Sequence, residues 1–122
     1  MKCMAPEFLH HELVTTYRED LSVSVAADVL AIPVTNPMVE KTTGGDAEAL
    51  TLADGLPGQL LHIRLAVDGG GDGTLTPTTK TGFATIVFAD AGDQVILMYV
   101  DDTIGWIIFS AYGLTAPPVI TV

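Results

Sequence analysis

Apolar and polar positions alternate with a period of two over most of this chain. Ser22-Val-Ser-Val25 alternates cleanly. In Gln59 to Val67, Leu61, Ile63, Leu65 and Val67 share one face, while His62 and Arg64 point the other way. This is the period of a half-buried strand. Shorter runs of the same kind are Met38 to Thr42, Glu48 to Leu52 with Leu50 and Leu52 on one face, and Thr85 to Phe88. Val95 to Val100 and Trp106 to Ser110 are apolar on both faces, which requires cover on both sides. Val29 to Val34 is apolar but carries Pro33, which assigns it to an edge or an early stop.

The punctuation between these runs is made of turn residues. Asn36-Pro37, Asp54-Gly55, Pro57-Gly58 and Gly92-Asp93 break the pattern. Gly44-Gly45-Asp46 reads as a hairpin turn that pairs Met38–Thr42 with Glu48–Leu52. Asp68 to Gly73 is a glycine-rich loop. Many short strands and no internal repeat predict an all-β domain, a small β-sandwich or barrel, over residues 23–122.

Residues 1–22 differ. Phe8, Leu9, Leu13 and Tyr17 lie near helical spacing with Pro6 placed for a helix start, and a short helix and an extended arm both fit. Either form is an N-terminal arm able to dock on a neighbour. It contains no apolar core of signal-peptide length.

Composition narrows the function classes. A chain of 122 residues suffices for one core without staples. Hydrophobic residues make up 48%, yet no run approaches the roughly 18 residues that span a membrane, so the surplus predicts a subunit interface. Fifteen acidic against five basic residues, a net charge of −10, oppose nucleic-acid binding. A single cysteine, Cys3, excludes an internal disulfide and a thiolate zinc cluster.

Candidate chemistry is sparse. Asp68 and Asp72 could ligate calcium, but the loop lacks the spaced carboxylates and closing Glu of an EF-hand, so a tight turn is the expectation. The pairs Asp101-Asp102 and Asp90 with Asp93 flank turns, where solvation rather than acid–base work is expected. His10-His11 and His62 form no complete ligand set, and Cys3 has no partner base. Trp106, Phe109, Tyr99 and Tyr112 could line a sugar-stacking face, though aromatics at these positions more often fill a core or an interface. No catalytic residue, metal or cofactor is expected.

The order Thr51-Leu-Ala-Asp-Gly55, Pro57-Gly-Gln59, Asp68-Gly-Gly-Gly71, Leu75-Thr-Pro77, Thr85-Ile86, Gly92-Asp93 and Trp106 resembles small β modules of tailed-phage particles, found in capsid decoration (cement) proteins and at fibre ends. The resemblance covers roughly residues 50–113. It implies a non-enzymatic virion protein: a homotrimer on the outer capsid surface, assembled in the host cytoplasm, whose partner is the major capsid protein. Such a protein contacts neither nucleic acid nor membrane. On this reading Phe8, Leu9, Leu13 and Tyr17 contact the capsid, and Ile96, Met98, Trp106 and Phe109 form the trimer interface. The alternative it implies is a fibre-tip or receptor-binding module for a host glycan.

Overall fold

A computed structural model describes residues 21–122. The expected arm therefore lies outside the described residues, save Leu21 and Ser22, and Ser22 already belongs to the first strand. Ten strands follow: β1 (Ser22–Val25), β2 (Ala31–Ile32), β3 (Met38–Thr42), β4 (Glu48–Leu52), β5 (Leu60–Val67), β6 (Gly73–Pro77), β7 (Thr85–Phe88), β8 (Gln94–Tyr99), β9 (Trp106–Tyr112) and β10 (Val119–Thr121). They form two five-stranded sheets, β1-β3-β5-β8-β9 and β10-β7-β6-β4-β2, packed as a sandwich. The all-β expectation holds.

The connectivity differs from the hairpin reading. β3 and β4 belong to different sheets, so Gly44-Gly45-Asp46 is a crossover rather than a hairpin turn. β1, β3 and β5 pair parallel in one sheet, and β2, β4 and β6 pair parallel in the other. The first six strands thus wind as three coils, each giving one strand to each sheet. The later strands pair antiparallel, β6 with β7, β5 with β8, β8 with β9 and β7 with β10. Matching the two sheet orders gives five tiers, from β1/β2 at one end to β9/β10 at the other.

The glycine clusters sit where successive coils stack. The Gly71 amide donates to Gly44 O at 2.9 Å, and the Glu48 amide to Asp72 O at 2.9 Å. A Cβ on Gly69 would lie 2.1 Å from Thr43 O, and one on Gly71 2.0 Å from Asp46 O. These glycines are therefore required by close backbone approach, while Gly70, at φ 113°, also meets the expectation of a positive φ.

The core lies between the sheets. Leu61, Ile63 and Leu65 of β5 face Leu50, Leu52, Leu75, Ile86 and Phe88 from the second sheet, with Val95, Leu97 and Tyr99 of β8 beside them. Each fully buried aliphatic side chain contributes roughly 1.5–3 kcal/mol relative to exposure. Val67 leaves this face: Lys41 pairs with Leu65 and Thr42 with Val67, so Ala66 is an extra residue and Val67 turns to solvent.

Candidate functional site

Lys41 lies on the core side of β3 and is 1% exposed. Its Nζ donates to Ala26 O at 2.8 Å and Val29 O at 2.7 Å and sits 2.8 Å from Glu48 Oε1. Glu48 Oε2 accepts the Gly44 amide at 2.6 Å. Burial pushes the Glu48 carboxyl up, but the Lys41 hydrogen bond and backbone amides outweigh it, and the net shift is downward. The cluster ties the first coil to the second across both sheets. Its polar atoms are turned on one another inside the fold, and its chemistry is structural.

The carboxylates singled out in the sequence are also turn builders. Asp93 is buried, against the expectation of solvation, and its Oδ2 accepts the amides of Ala89 and Asp90 at 3.0 and 3.1 Å. Asp101 Oδ1 accepts from the Thr103 and Ile104 amides, and Asp102 Oδ1 accepts from the Tyr99 hydroxyl at 2.7 Å. That bond, with burial, pushes the Tyr99 phenol well above its ordinary range. Asp68 Oδ1 accepts the Gly70 amide within its own loop. Among the described residues no group of three or more His, Cys, Asp or Glu is placed to hold a metal ion.

The aromatics divide. Trp106 is fully buried within its own chain, so it cannot offer its side chain to a trimer interface or a sugar. Its Nε1 donates to Ala53 O at 2.9 Å, and its ring meets Tyr99 edge-on with centroids 5.2 Å apart. Phe109 goes the other way. Ile96 pairs with Ser110 and Leu97 with Ile108, leaving Phe109 as the extra residue of a bulge, 67% exposed. Trp106, Ile108 and Ala111 pack inward, while Phe109, Ser110 and Tyr112 are exposed. Trp106 and Phe109 therefore lie on opposite faces of β9, and the expectation that put both in one interface does not hold.

Ile96 and Met98 are half-buried on the outer face of the first sheet. They share it with His62, whose Nε2 lies 2.7 Å from Gln94 Oε1, and with the Arg64–Glu40 ion pair at 2.7 Å. A shallow recess of about 40 Å³ opens there between His62, Gln94, Ile96, Ser110 and Tyr112. Phe8, Leu9, Leu13, Tyr17, His10, His11 and Cys3 lie outside the described residues.

The least expected surface is the β9/β10 tier. Residues 103–122 contain no Asp, Glu, Lys, Arg or His, in a chain that carries 15 acidic and 5 basic residues. Phe109, Tyr112, Leu114, Val119 and Ile120 are exposed on it. The signal was present in the sequence as a long uncharged stretch; only the sheet orders show that it supplies an edge strand to each sheet, β9 and β10.

The arrangement defines a class, a two-sheet β stack with a coiled parallel half and an antiparallel half, whose polar groups serve its turns. No family model, curated protein or solved structure matches the chain.

Proposed function

We propose that this chain is a non-enzymatic structural protein of a phage particle: a trimeric capsid decoration protein that binds the outer shell and stabilises it. The observation that carries the reading is the amount of large apolar side chain left outside the core, including Leu56, Leu60, Phe109 and Leu114, in a strongly acidic chain. Such surface fits a protein that is completed by neighbours. The order of turn and strand motifs from Thr51 to Trp106, similar to that of virion β modules, supports the same reading. Docking is assigned to the N-terminal segment with Phe8, Leu9, Leu13 and Tyr17, and the trimer multiplies each weak contact by effective concentration. The test is to mix the full chain with undecorated capsid shells and measure copies bound per major capsid protein. Stoichiometric binding that raises the shell's melting temperature is expected; absence of binding overturns the reading.

A fibre-tip module is the second reading, favoured by the recess at His62, Gln94 and Ser110 with Tyr112 exposed at its rim. An exposed aromatic ring beside a few hydrogen-bonding side chains suits a sugar. Saturable binding on a glycan array, lost in Tyr112→Ala, would select it over decoration.

A further inference from the structure

We infer that copies of this chain associate through the β9/β10 tier, residues 103–122. The inference deepens the assembly reading by naming the contact surface, although it can be measured without a capsid.

Charge is the first argument. Each copy carries a net charge of −10, so two copies repel wherever their carboxylates are brought within a screening length of about 8 Å at physiological salt. The stretch 103–122 holds no Asp, Glu, Lys, Arg or His, and an approach through it keeps the acidic groups of both copies at the rim. A basic partner finds no counter-charge there, which favours a second copy as the occupant.

The apolar surface is concentrated on the same tier. Phe109 is 67% exposed, Leu114 74% and Val119 57%, with Tyr112 and Ile120 adding to the patch. β9 is moreover an edge strand. Among the described residues, only Trp106 at its start pairs on the open side, with Thr79 and Thr81. Proteins protect exposed edges with charge, proline or cover. Ile107 to Tyr112 has neither charge nor proline, and its one bulge, at Phe109, points an aromatic ring outward.

The competing surface is the outer face of the first sheet, where Ile96 and Met98 lie. It carries the Glu40–Arg64 ion pair and the His62–Gln94 contact. Burying those groups would cost desolvation that the end tier does not incur.

Sedimentation velocity on the full chain, from micromolar to near-millimolar concentration, provides the test. The variants are Phe109→Lys and Val119→Lys on the tier and Met98→Lys on the sheet face, each checked by near-UV circular dichroism of the Trp106 environment. Two tier variants keep the test decisive should one fail to fold. The expected result is an oligomer whose dissociation constant rises at least about a hundredfold in the tier variants and changes less than about threefold in Met98→Lys. A wild-type monomer throughout, or dissociation by Met98→Lys alone, overturns the inference. Shell binding by a monomeric chain would sink this inference and the trimer with it while leaving shell decoration standing; self-association without shell binding does the reverse.

Discussion

Lys41 Nζ and Glu48 Oε1 lie 2.8 Å apart although their strands belong to different sheets, and both side chains are withdrawn from solvent. The pair replaces the apolar contact that would ordinarily join the sheets at this corner. It also collects the carbonyls of Ala26 and Val29 and the amide of Gly44, and Ala26 O keeps a second bond from the Val29 amide at 3.2 Å.

Removing one member strands the other. Lys41→Met leaves a buried carboxylate without its counter-ion, and a loss of about 3–5 kcal/mol in unfolding free energy is expected. Urea denaturation followed by Trp106 fluorescence measures it. The double variant Lys41→Met/Glu48→Leu should recover only part of the loss, because the freed backbone groups each lose a partner.

The same pair sets an acid limit. The Glu48 carboxyl titrates below its ordinary 4.5 in the folded chain. The unfolded chain therefore takes up its proton first as pH falls. The contribution of Glu48 is complete above about pH 5 and is lost as pH drops through the folded value. In melts from pH 7 to pH 3, Glu48→Gln should start less stable and show a shallower acid decline than the wild type. Parallel declines would mean that other carboxylates govern it.

At the alkaline end the group to watch is Tyr99. Its hydrogen bond to Asp102, and its burial, hold the phenol protonated beyond the ordinary 10.0, so the folded chain resists the ionisation that the unfolded chain undergoes. That stability is intact below about pH 10 and is lost as pH rises toward the folded value. Spectrophotometric titration should show one phenol ionising only with global unfolding, and Tyr99→Phe should abolish that late step.

Two neighbouring glycine sites discriminate close approach from mere turn preference. Gly71→Ala would place a methyl group 2.0 Å from Asp46 O, whereas a Cβ on Gly45 meets nothing within 4 Å. A loss of at least about 2 kcal/mol is expected for the first and under about 0.5 kcal/mol for the second. Equal effects would show that the corners do not stack as described.

How far the sequence was legible follows from these residues. β5 could be placed from period and punctuation, because Leu61, Ile63 and Leu65 point inward while His62 and Arg64 point outward; β8, apolar on both faces, and β3, with Lys41 inward, were marked as strands mainly by their bounding turns. Partners could not be placed. Gly44-Gly45-Asp46 carries the same residues whether it reverses a hairpin or passes to the other sheet, and what decides is the distant loop Gly69 to Asp72 packed on it. The coils went unseen as a repeat because they differ in length: Ser22 pairs with Met38, and Met38 with His62. Lys41 was invisible as a core residue, since a lysine is buried only when its charge is matched, and its partners come from two other segments, the β1–β2 loop and β4. Trp106 was misassigned because β9 is apolar on both faces at its start, so polarity does not mark which side meets the core.

The winding of the first six strands bears on how fast this chain reaches its native state. β1 cannot meet β3 until β2 has been laid down elsewhere, and the same holds for each later coil, so none of these pairings can zip from a local turn. The tight connection from Tyr99 to Trp106, closed by the Gly105 amide on Asp101 O at 2.7 Å, can. Folding should therefore begin at β8–β9, far along the sequence, with the parallel coils annealing back onto that template over milliseconds to seconds. In stopped-flow refolding, a Leu97→Ala change would slow the forward rate, while a corner change such as Gly71→Ala would chiefly hasten unfolding.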